Sequence, residues 1–373
     1  MKCPKCGFEN PENAKFCREC GMSFTDKGFA EKGGGMKSTS EASPSVRGVN
    51  IKILLLIIGF VVIVGVAAYY FLPSLFSSPQ QATVLIVPAV SGSAVVTYNG
   101  SQYPVNLDYY ALSQGSGFIV SDQGHIVTAA HVVSDPYDLR YQGKIRKMEQ
   151  SDIEWYVAQG AIYLVLQKTD PDVLEDLTQE DMDDLTNEAL SSGAVEVKNA
   201  NLDIYVIGGA FPESMTEKDY IAHIVDFEAT DNQEKDVALL KVDNPPKNLP
   251  KMSISSQKPN VGDTVSIYGY PIEQMEFAKY MESTGNQKQF LESMANATLT
   301  KGIVSAERIS PRGTQYFQTD APVNKGNSGG PVLNSNNQVI GVLVFKLGET
   351  GNYNFFISSQ YVIDMLKQNG INV

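Results

Sequence analysis

The stretch Gly326-Asn327-Ser328-Gly329-Gly330-Pro331 places a lone serine between glycines near the C-terminal end of the chain. Glycines on both sides of a serine let the backbone turn sharply and come close to a bound ligand. Such a turn can also aim two N–H groups at one point, as the stabilisation of an oxyanion requires. Because most glycine–serine clusters are ordinary turns, the interpretation depends on what else the sequence contains.

Two other segments supply the partners that a nucleophilic serine needs. The sequence has three histidines, and one of them, His131, follows the segment 124–130, which ends in Thr-Ala-Ala. Asp236 lies at the start of Val237-Ala238-Leu239-Leu240, a run typical of a buried strand. A serine nucleophile needs a base, and the base needs an orienting carboxylate. The order His, Asp, Ser is that of the chymotrypsin clan, and the lack of a histidine after Ser328 excludes the α/β-hydrolase order.

Together these segments resemble the trypsin-like serine proteases of the HtrA (high-temperature-requirement) family. The resemblance covers roughly residues 84–373 and implies a mostly β fold: two six-stranded antiparallel β-barrels with the catalytic groups in the cleft between them. The matching segments are Gly115–Val120, Thr128–His131, Asp236–Leu240, Gly269–Pro271, Gly302–Ala306 and Thr319–Ala321 leading into the serine turn.

The resemblance assigns a role to each of these residues. Ser328 would attack the scissile carbonyl, His131 would take its proton, and Asp236 would hold the imidazole in the correct tautomer. The backbone N–H groups of Gly326 and Ser328 would form the oxyanion hole. The assignment of Asp236 has three alternatives nearby in the sequence, which are Asp226, Asp231 and Asp243.

In the resembled fold, the residues 322–324 and the strand 342–346 wall the pocket for the residue before the cut. Neither segment contains a carboxylate that could pair with a bound arginine or lysine. Val323, Val344 and Phe345 instead predict a shallow apolar pocket, with a modest preference for Val, Ala or Ile.

All four cysteines lie within the first twenty residues, as the two pairs Cys3/Cys6 and Cys17/Cys20. Two CxxC pairs suit tetrahedral coordination of a structural Zn²⁺ ion, and so short a segment has little other means of folding. Residues 1–22 resemble the zinc ribbons at the N-termini of bacterial membrane proteins. Two disulfides or a redox dithiol pair are the alternatives. No cofactor is expected for catalysis.

Residues 53–72 contain no charged side chain and are long enough to cross a bilayer as a helix. Residues 23–52 and 73–83 are predicted to be linkers on either side of it. A cleaved signal peptide fits poorly, because the apolar run is long and follows a folded module. Lys and Arg crowd its N-terminal side, which predicts a cytoplasmic N-terminus and an extracytoplasmic protease domain on a bacterial membrane.

The formal charge of the chain is −13, although the first 52 residues carry nine Lys/Arg and only six Asp/Glu. The acidic main body excludes nucleic acid as an expected partner, since phosphate binding needs clustered basic residues. Beyond the cysteines of the ribbon no disulfide is possible, so the large domain must rest on its hydrophobic core.

Two insertions depart from the resembled family, at about residues 134–200 and 272–298. Within the first, residues 172–190 predict one acidic amphipathic helix whose apolar positions include Leu174 and Leu185. The second is either a lid over the active site or a decorative surface loop. Residues 360–368 predict a closing helix, after which no length remains for a PDZ domain.

The favoured function is a membrane-tethered serine endopeptidase that acts on misfolded or signalling proteins in the cell envelope, with a monomer and a homo-oligomer both left open. The alternative is a non-catalytic scaffold that uses the protease fold for binding and the zinc ribbon as a cytoplasmic contact. Asn327 occupies the place where zymogens of the chymotrypsin type carry an aspartate, so activation by N-terminal cleavage is not expected.

Overall fold

The computed structural model describes residues 78–211, 219–229, 235–272, 296–347 and 353–372, together with four positions of the N-terminal segment. The predicted linker 23–52, the predicted membrane helix 53–72 and nearly all of the insertion 272–298 lie outside the described residues. Within the described ranges, no helix is long and apolar enough to cross a membrane.

The first barrel contains six antiparallel strands in the order β1-β3-β4-β7-β6-β5, and pairing between β1 and β5 closes it. A further strand, β2, forms a hairpin with β1 and pairs with its outer part. β7 has the sequence Val-Ala-Leu-Leu-Lys-Val, and all but its lysine are buried, as expected for a strand covered on both faces. The seven strands are β1 (Thr83–Tyr98), β2 (Ser101–Ala111), β3 (Gly115–Ile119), β4 (His125–Thr128), β5 (Val195–Ile207), β6 (Ile221–Glu228) and β7 (Val237–Val242).

The second barrel also has six antiparallel strands and is closed, in the order β10-β13-β12-β11-β8-β9. Its interior is apolar, and the rings of Phe317 and Phe356 stack at 5.3 Å between centroids. These strands are β8 (Thr264–Gly269), β9 (Thr298–Ile309), β10 (Gln315–Thr319), β11 (Pro331–Leu333), β12 (Val339–Leu347) and β13 (Tyr353–Ser358). The expected pair of six-stranded barrels is therefore confirmed.

The region between β4 and β5 is helical. A 3₁₀ turn (Ala130–Val133) is followed by α1 (Pro136–Gln142), α2 (Gln150–Thr169), α3 (Pro171–Asp176) and α4 (Gln179–Ser192). The prediction of one helix over residues 172–190 was wrong, because the chain breaks at Leu177. There Thr178 caps a new helix and exchanges hydrogen bonds with Asp181 in a capping box. The insertion ends earlier than expected, at Gly193, and residues 195–200 belong to β5.

The large domain begins and ends close to the expected positions, with one difference in the linker before it. The resemblance begins at about residue 84, and the structure begins the barrel there with one long strand, β1, which has register shifts near Gly92. The expected linker 73–83 ends inside the fold, since Ala82 and Thr83 are fully buried and Thr83 begins β1. The closing helix is present as α5 (Ser359–Gln368), and its apolar face packs into a core cluster that contains residues of both barrels.

Candidate active site

The first barrel brings His131 and Asp236 together through the pairing of two strands. Thr128, the last residue of β4, pairs with Ala238 of β7, so the residues that follow β4 lie beside those that precede β7. Asp236 is almost fully buried and uses both carboxylate oxygens on His131. Its Oδ1 accepts the backbone N–H of His131 at 2.8 Å, and its Oδ2 bonds the ring Nδ1 at 2.6 Å. Because the carboxylate can only accept, Nδ1 carries the proton and Nε2 keeps a lone pair.

The electrostatics of this pair favour a protonated imidazole more than solvent does. Burial by itself would lower the pKa of His131, but the charge of Asp236 and the hydrogen bond to it outweigh burial. The net result is a pKa raised above its ordinary value of 6.5. The side chain of His131 keeps 22% of its surface exposed, so the ring is only partly shielded from solvent.

The described alternatives to Asp236 are engaged elsewhere. Asp226 accepts a hydrogen bond from the Asn369 amide at 2.6 Å. Asp243 lies 3.2 Å from the ring of His223 on the surface. Asp231 lies outside the described residues.

The serine turn of the second barrel is seated directly on the first barrel. The backbone N–H of Ser116 in β3 donates to the Ser328 carbonyl at 2.7 Å. Gly329 has a φ of +84°, and a Cβ added there would lie 2.1 Å from the Ser116 carbonyl oxygen and 2.8 Å from the Ala129 nitrogen. No residue with a side chain fits this approach, which places Ser328 next to the segment that ends in His131.

The buried hydroxyl of Ser116 holds this turn from a second direction. It donates to the Gly326 carbonyl at 2.7 Å and accepts the N–H of Tyr270 at 2.9 Å. The carbonyl of Ser116 accepts a third bond, from the Thr128 hydroxyl, at 2.7 Å. In the sequence, Ser116 is only one residue of the Gly115–Val120 motif. Its position between Gly115 and Gly117 was the available signal for close packing.

The N–H groups of the turn fall into two sets. Asn327, Gly329 and Gly330 donate to backbone carbonyls of the turn or of β12. The backbone N–H groups of Gly326 and Ser328 donate to no acceptor within the part of the chain that the structure describes. The two expected oxyanion donors are therefore the two that remain available, which is the arrangement an oxyanion hole needs.

The Ser328 hydroxyl itself donates to the Val344 carbonyl, at 3.2 Å, rather than to His131. This carbonyl is available because Val344 lies at a β-bulge: Leu343 pairs with Phe356 and Phe345 with Phe355, which leaves Val344 without a partner on β13. The structure therefore shows the serine in a resting rotamer, with its hydroxyl on β12.

The expected pocket residues do not share one cluster. Val323 packs in the interior of the second barrel, whereas the side chain of Val344 packs in the core cluster that contains α5. It is thus the backbone of Val344, and not its side chain, that faces the serine. The side chain of Phe345 lies outside the described residues.

A polar network connects the segment after His131 to the helical insertion. Asp135 is buried and accepts the Tyr156 hydroxyl of α2 at 2.7 Å. Arg146 bonds Asp135 at 2.7 Å and Asp152 of α2 at 2.6 Å, and it also contacts Asp138. Burial raises the pKa of Asp135 even though Tyr156 and Arg146 act against it. These contacts hold the helical insertion against the segment that follows His131. The sequence alone did not indicate a role for these side chains.

The zinc-ribbon prediction lies mostly outside the described residues, which include Cys3 but not Cys6, Cys17 or Cys20. Cys3 is 2% exposed. An antiparallel bridge joins Lys2 and Glu9, on either side of the Cys3–Cys6 pair. Thiolates are the donors that a structural Zn²⁺ ion takes in a ribbon.

Two barrels, a carboxylate-bound histidine and a glycine-flanked serine with available N–H groups define the class of serine peptidases with the trypsin-like fold. Comparison with known families agrees. Residues 115–342 match the trypsin-like peptidase domain, and residues 2–24 match a zinc-ribbon domain. The chain therefore belongs to the trypsin-like peptidase family.

Relatives with similar sequences match only part of the chain. A probable periplasmic serine endoprotease, DegP-like, from Pseudomonas putida W619 is 35% identical over 140 residues, which are 36% of this chain and 24% of that protein. The serine protease Do-like HtrB of Bacillus subtilis is 32% identical over 146 residues, covering 36% and 28%. The chain thus spans about a quarter of the length of these relatives.

Two solved structures are similar at lower identity. The serine endoprotease of Yersinia pestis is 18% identical, with a TM-score of 0.40 over 78% of this chain and 62% of that one. The Rv3671c protease of M. tuberculosis in its active form is 16% identical, with a TM-score of 0.41 over 79% and 84%.

Proposed function

We propose that this protein is a serine endopeptidase that cleaves proteins outside the cytoplasmic membrane. The observation that carries the proposal is the two-point contact of Asp236 with His131, because it leaves the lone pair of Nε2 free to accept a proton. In the reaction, Ser328 Oγ attacks the scissile carbonyl while its proton moves to Nε2. The N–H groups of Gly326 and Ser328 then stabilise the oxyanion, and His131 returns the proton to the leaving amine.

A second candidate function is a non-catalytic scaffold with a protease fold. The observation that favours it is the Ser328 hydroxyl resting on the Val344 carbonyl instead of on the base. A serine-directed fluorophosphonate separates the two, since only an activated serine is modified rapidly. Labelling of the wild type, with none for Ser328→Ala or His131→Ala, supports the peptidase. Folded wild-type protein that neither labels nor cleaves casein supports the scaffold.

The membrane attachment is part of the same proposal. The charge-free segment 53–72, with Lys and Arg concentrated on its N-terminal side, favours a single span with the ribbon in the cytoplasm. Protease added to intact cells should then remove the catalytic domain and spare the N-terminus. An N-terminal tag that is digested in intact cells would contradict this orientation.

We further propose that the ribbon binds one structural Zn²⁺ through Cys3, Cys6, Cys17 and Cys20. Thiolates in reducing cytoplasm remain available to metal, in keeping with the proposed orientation. Metal analysis of the purified full chain should find about one zinc per molecule, as four-thiolate sites hold. The quadruple Cys→Ser variant should contain none and should keep its peptidase activity. Zinc retained by that variant would contradict the assignment.

A further inference from the structure

The loop that joins β2 to β3 contains a carboxamide whose nitrogen has no acceptor, that of Gln114. Its Nε2 is shielded from solvent and donates to no acceptor within the part of the chain that the structure describes. The residue as a whole is only half-buried, so its side chain lies at the surface of the fold and not inside a barrel core. A shielded donor left unpaired destabilises the free protein, and its retention therefore calls for an explanation.

Both chain neighbours of Gln114 contact the catalytic segments. On one side, the hydroxyl of Ser113 donates at 2.7 Å to the carbonyl of Val132, the residue directly after the catalytic histidine. On the other side, a Cβ added to Gly115 would lie 3.0 Å from the carbonyl oxygen of Ser328. The loop therefore holds Gln114 between the base and the nucleophile of the candidate active site.

The amide end of the side chain lies against the serine turn, beside one of the expected oxyanion donors. A Cβ added to Gly326 would lie 3.1 Å from Nε2 of Gln114. The N–H of Gly326 and the amide of Gln114 are thus neighbouring donors, and both lack an acceptor among the described residues. This part of the surface is open, since Ser328 is half-buried and Lys325 is exposed.

The turn itself offers this amide no free carbonyl. Each carbonyl from residue 324 to residue 328 already accepts a hydrogen bond. The Lys325 carbonyl accepts the N–H of Ile272 at 2.8 Å, and the Gly326 carbonyl accepts the hydroxyl of Ser116 at 2.7 Å. The other three carbonyls accept backbone N–H groups. The acceptor for Nε2 therefore has to come from outside the turn, and a substrate that the serine attacks brings a carbonyl oxygen to this place.

We propose that Gln114 is a catalytic residue whose Nε2 donates to the oxyanion, as a side-chain donor beside the backbone N–H groups of Gly326 and Ser328. This inference rests on the proposed peptidase function. It explains why the amide is kept without an acceptor in the free protein, because that acceptor exists only while a substrate reacts. Side-chain amides of Asn and Gln are among the donors that stabilise such oxygens in enzymes.

The charge on the oxygen changes during the reaction, and this is why the donor acts on the rate. When Ser328 Oγ bonds to the scissile carbon, its proton passes to His131 and the carbonyl π electrons move to the oxygen. The broad terminal torsion of a glutamine side chain lets Nε2 of Gln114 turn toward that oxygen. A hydrogen bond to an ionised oxygen is about twice as strong as one to a neutral carbonyl. The donor therefore stabilises the transition state more than the bound substrate.

Two substitutions at Gln114 test this role. Gln114→Met keeps the length of the side chain and removes the amide, whereas Gln114→Glu keeps its shape and replaces the donor with an acceptor. Each should lower kcat by about 10²-fold or more, as the loss of one oxyanion donor does. KM should stay within about threefold of the wild type, because the donor acts on charge that develops after binding.

The matched control is Gln123→Met, which removes an exposed amide in the turn between β3 and β4, at the other end of β3 from Gly115. Because this side chain is far along the strand from the serine turn, kcat should stay within about twofold of the wild type. A comparable loss of kcat in Gln123→Met would contradict the assignment to Gln114.

A pair of inhibitors separates stabilisation of the oxyanion from a general disturbance of the turn. A peptide aldehyde adds to Ser328 and places the oxygen of a tetrahedral adduct in the oxyanion position. The matched peptide alcohol binds without forming that adduct. Gln114→Met should raise the inhibition constant of the aldehyde about 10²-fold and leave that of the alcohol within about threefold. Equal weakening of both inhibitors overturns the catalytic role, because it shows that Gln114 only supports the turn.

The remaining outcomes separate this inference from the peptidase proposal. The role of Gln114 is overturned if folded Gln114→Met keeps kcat within about threefold, or if only KM changes. If neither variant folds, a structure of the wild type with the aldehyde decides. An Nε2 within about 3.2 Å of the adduct oxygen supports the role, and one beyond about 4 Å overturns it. Wild-type protein that neither cleaves peptides nor reacts with fluorophosphonate overturns the peptidase proposal, and this inference with it.

Discussion

Replacing Asp236 with asparagine is expected to lower kcat by about 10⁴-fold while the fold remains intact. The reason is the geometry of the two contacts with His131. An asparagine can still accept the backbone N–H through its Oδ1, but its amide nitrogen then faces Nδ1 of the ring. Two donors cannot share that bond, so Nδ1 must become the acceptor and the proton must move to Nε2. The imidazole then presents a donor to Ser328, and no base remains. A factor of 10⁴ corresponds to about 5.5 kcal/mol of transition-state stabilisation.

The same change should also shift the dependence on pH. The pKa of His131 is raised above 6.5 chiefly because the charge of Asp236 overcomes the effect of burial. Since only the neutral ring accepts a proton, the acid limb of wild-type kcat/KM should lie above about pH 6.5. Loss of the carboxylate charge should move the limb to lower pH. Stopped assays on one peptide between about pH 5 and pH 10, with active-site titration, measure both effects.

Asp226→Asn provides the matched control for this experiment. Its carboxylate is near in sequence but bonds Asn369 rather than His131, so its kcat and acid limb should match the wild type. The assignment is refuted if Asp236→Asn retains kcat within about tenfold, or if Asp226→Asn is the variant that loses it.

Three further predictions concern the parts that support the site. Gly329→Ala should destabilise the fold by about 3 kcal/mol or more, because the added Cβ would clash with backbone atoms. The control is Gly313→Ala, which is also at positive φ but in open space and should cost about 1–2 kcal/mol. Equal denaturant midpoints for the two variants would contradict the argument. Tyr156→Phe should cost about 1–3 kcal/mol by removing a donor from buried Asp135; urea unfolding measures this, and no change would show that the bond is dispensable. Because the pKa of His131 is raised in the fold, its pairing stabilises the protein below about pH 6.5, and the contribution is lost as pH rises through the folded pKa. The stability of His131→Ala should therefore fall further below the wild type at about pH 5.5 than at about pH 9, and the reverse order would refute the sign.

The core of the site could be predicted from the sequence because each part is encoded locally. His131 follows a short apolar strand, Asp236 precedes another, and Ser328 lies in a turn that only glycines allow. One strand pairing, Thr128 with Ala238, is then enough to bring the first two together. What the sequence could not supply is how Ser116 binds the turn, since that contact joins residues more than two hundred positions apart.

The helical insertion was harder to predict for the opposite reason. α2 packs against β1, β2, β5 and α4, and it buries residues on most of its circumference, including the consecutive Tyr156, Val157 and Ala158. A helix buried all round shows no single apolar stripe, so its periodicity gives no signal. The break before α4 does have a signal in the sequence, the Thr178-x-x-Asp181 capping box, which is typical of a helix start.

The resting position of the Ser328 hydroxyl helps to distinguish a peptidase from a non-catalytic scaffold. Its hydroxyl donates one neutral hydrogen bond to the Val344 carbonyl, and such a bond contributes about 0.5–1.5 kcal/mol to stability. A rotation about one side-chain bond releases it. Peptidase catalysis lowers a barrier by at least about 8 kcal/mol, so the cost of leaving Val344 is small beside the gain. The features that would be hard to build by a single rotation are already in place, namely the two-point carboxylate contact and the two available N–H groups. The position of the hydroxyl on β12 therefore argues for a site at rest, and a substrate strand that engages the Val344 carbonyl would free the serine for His131.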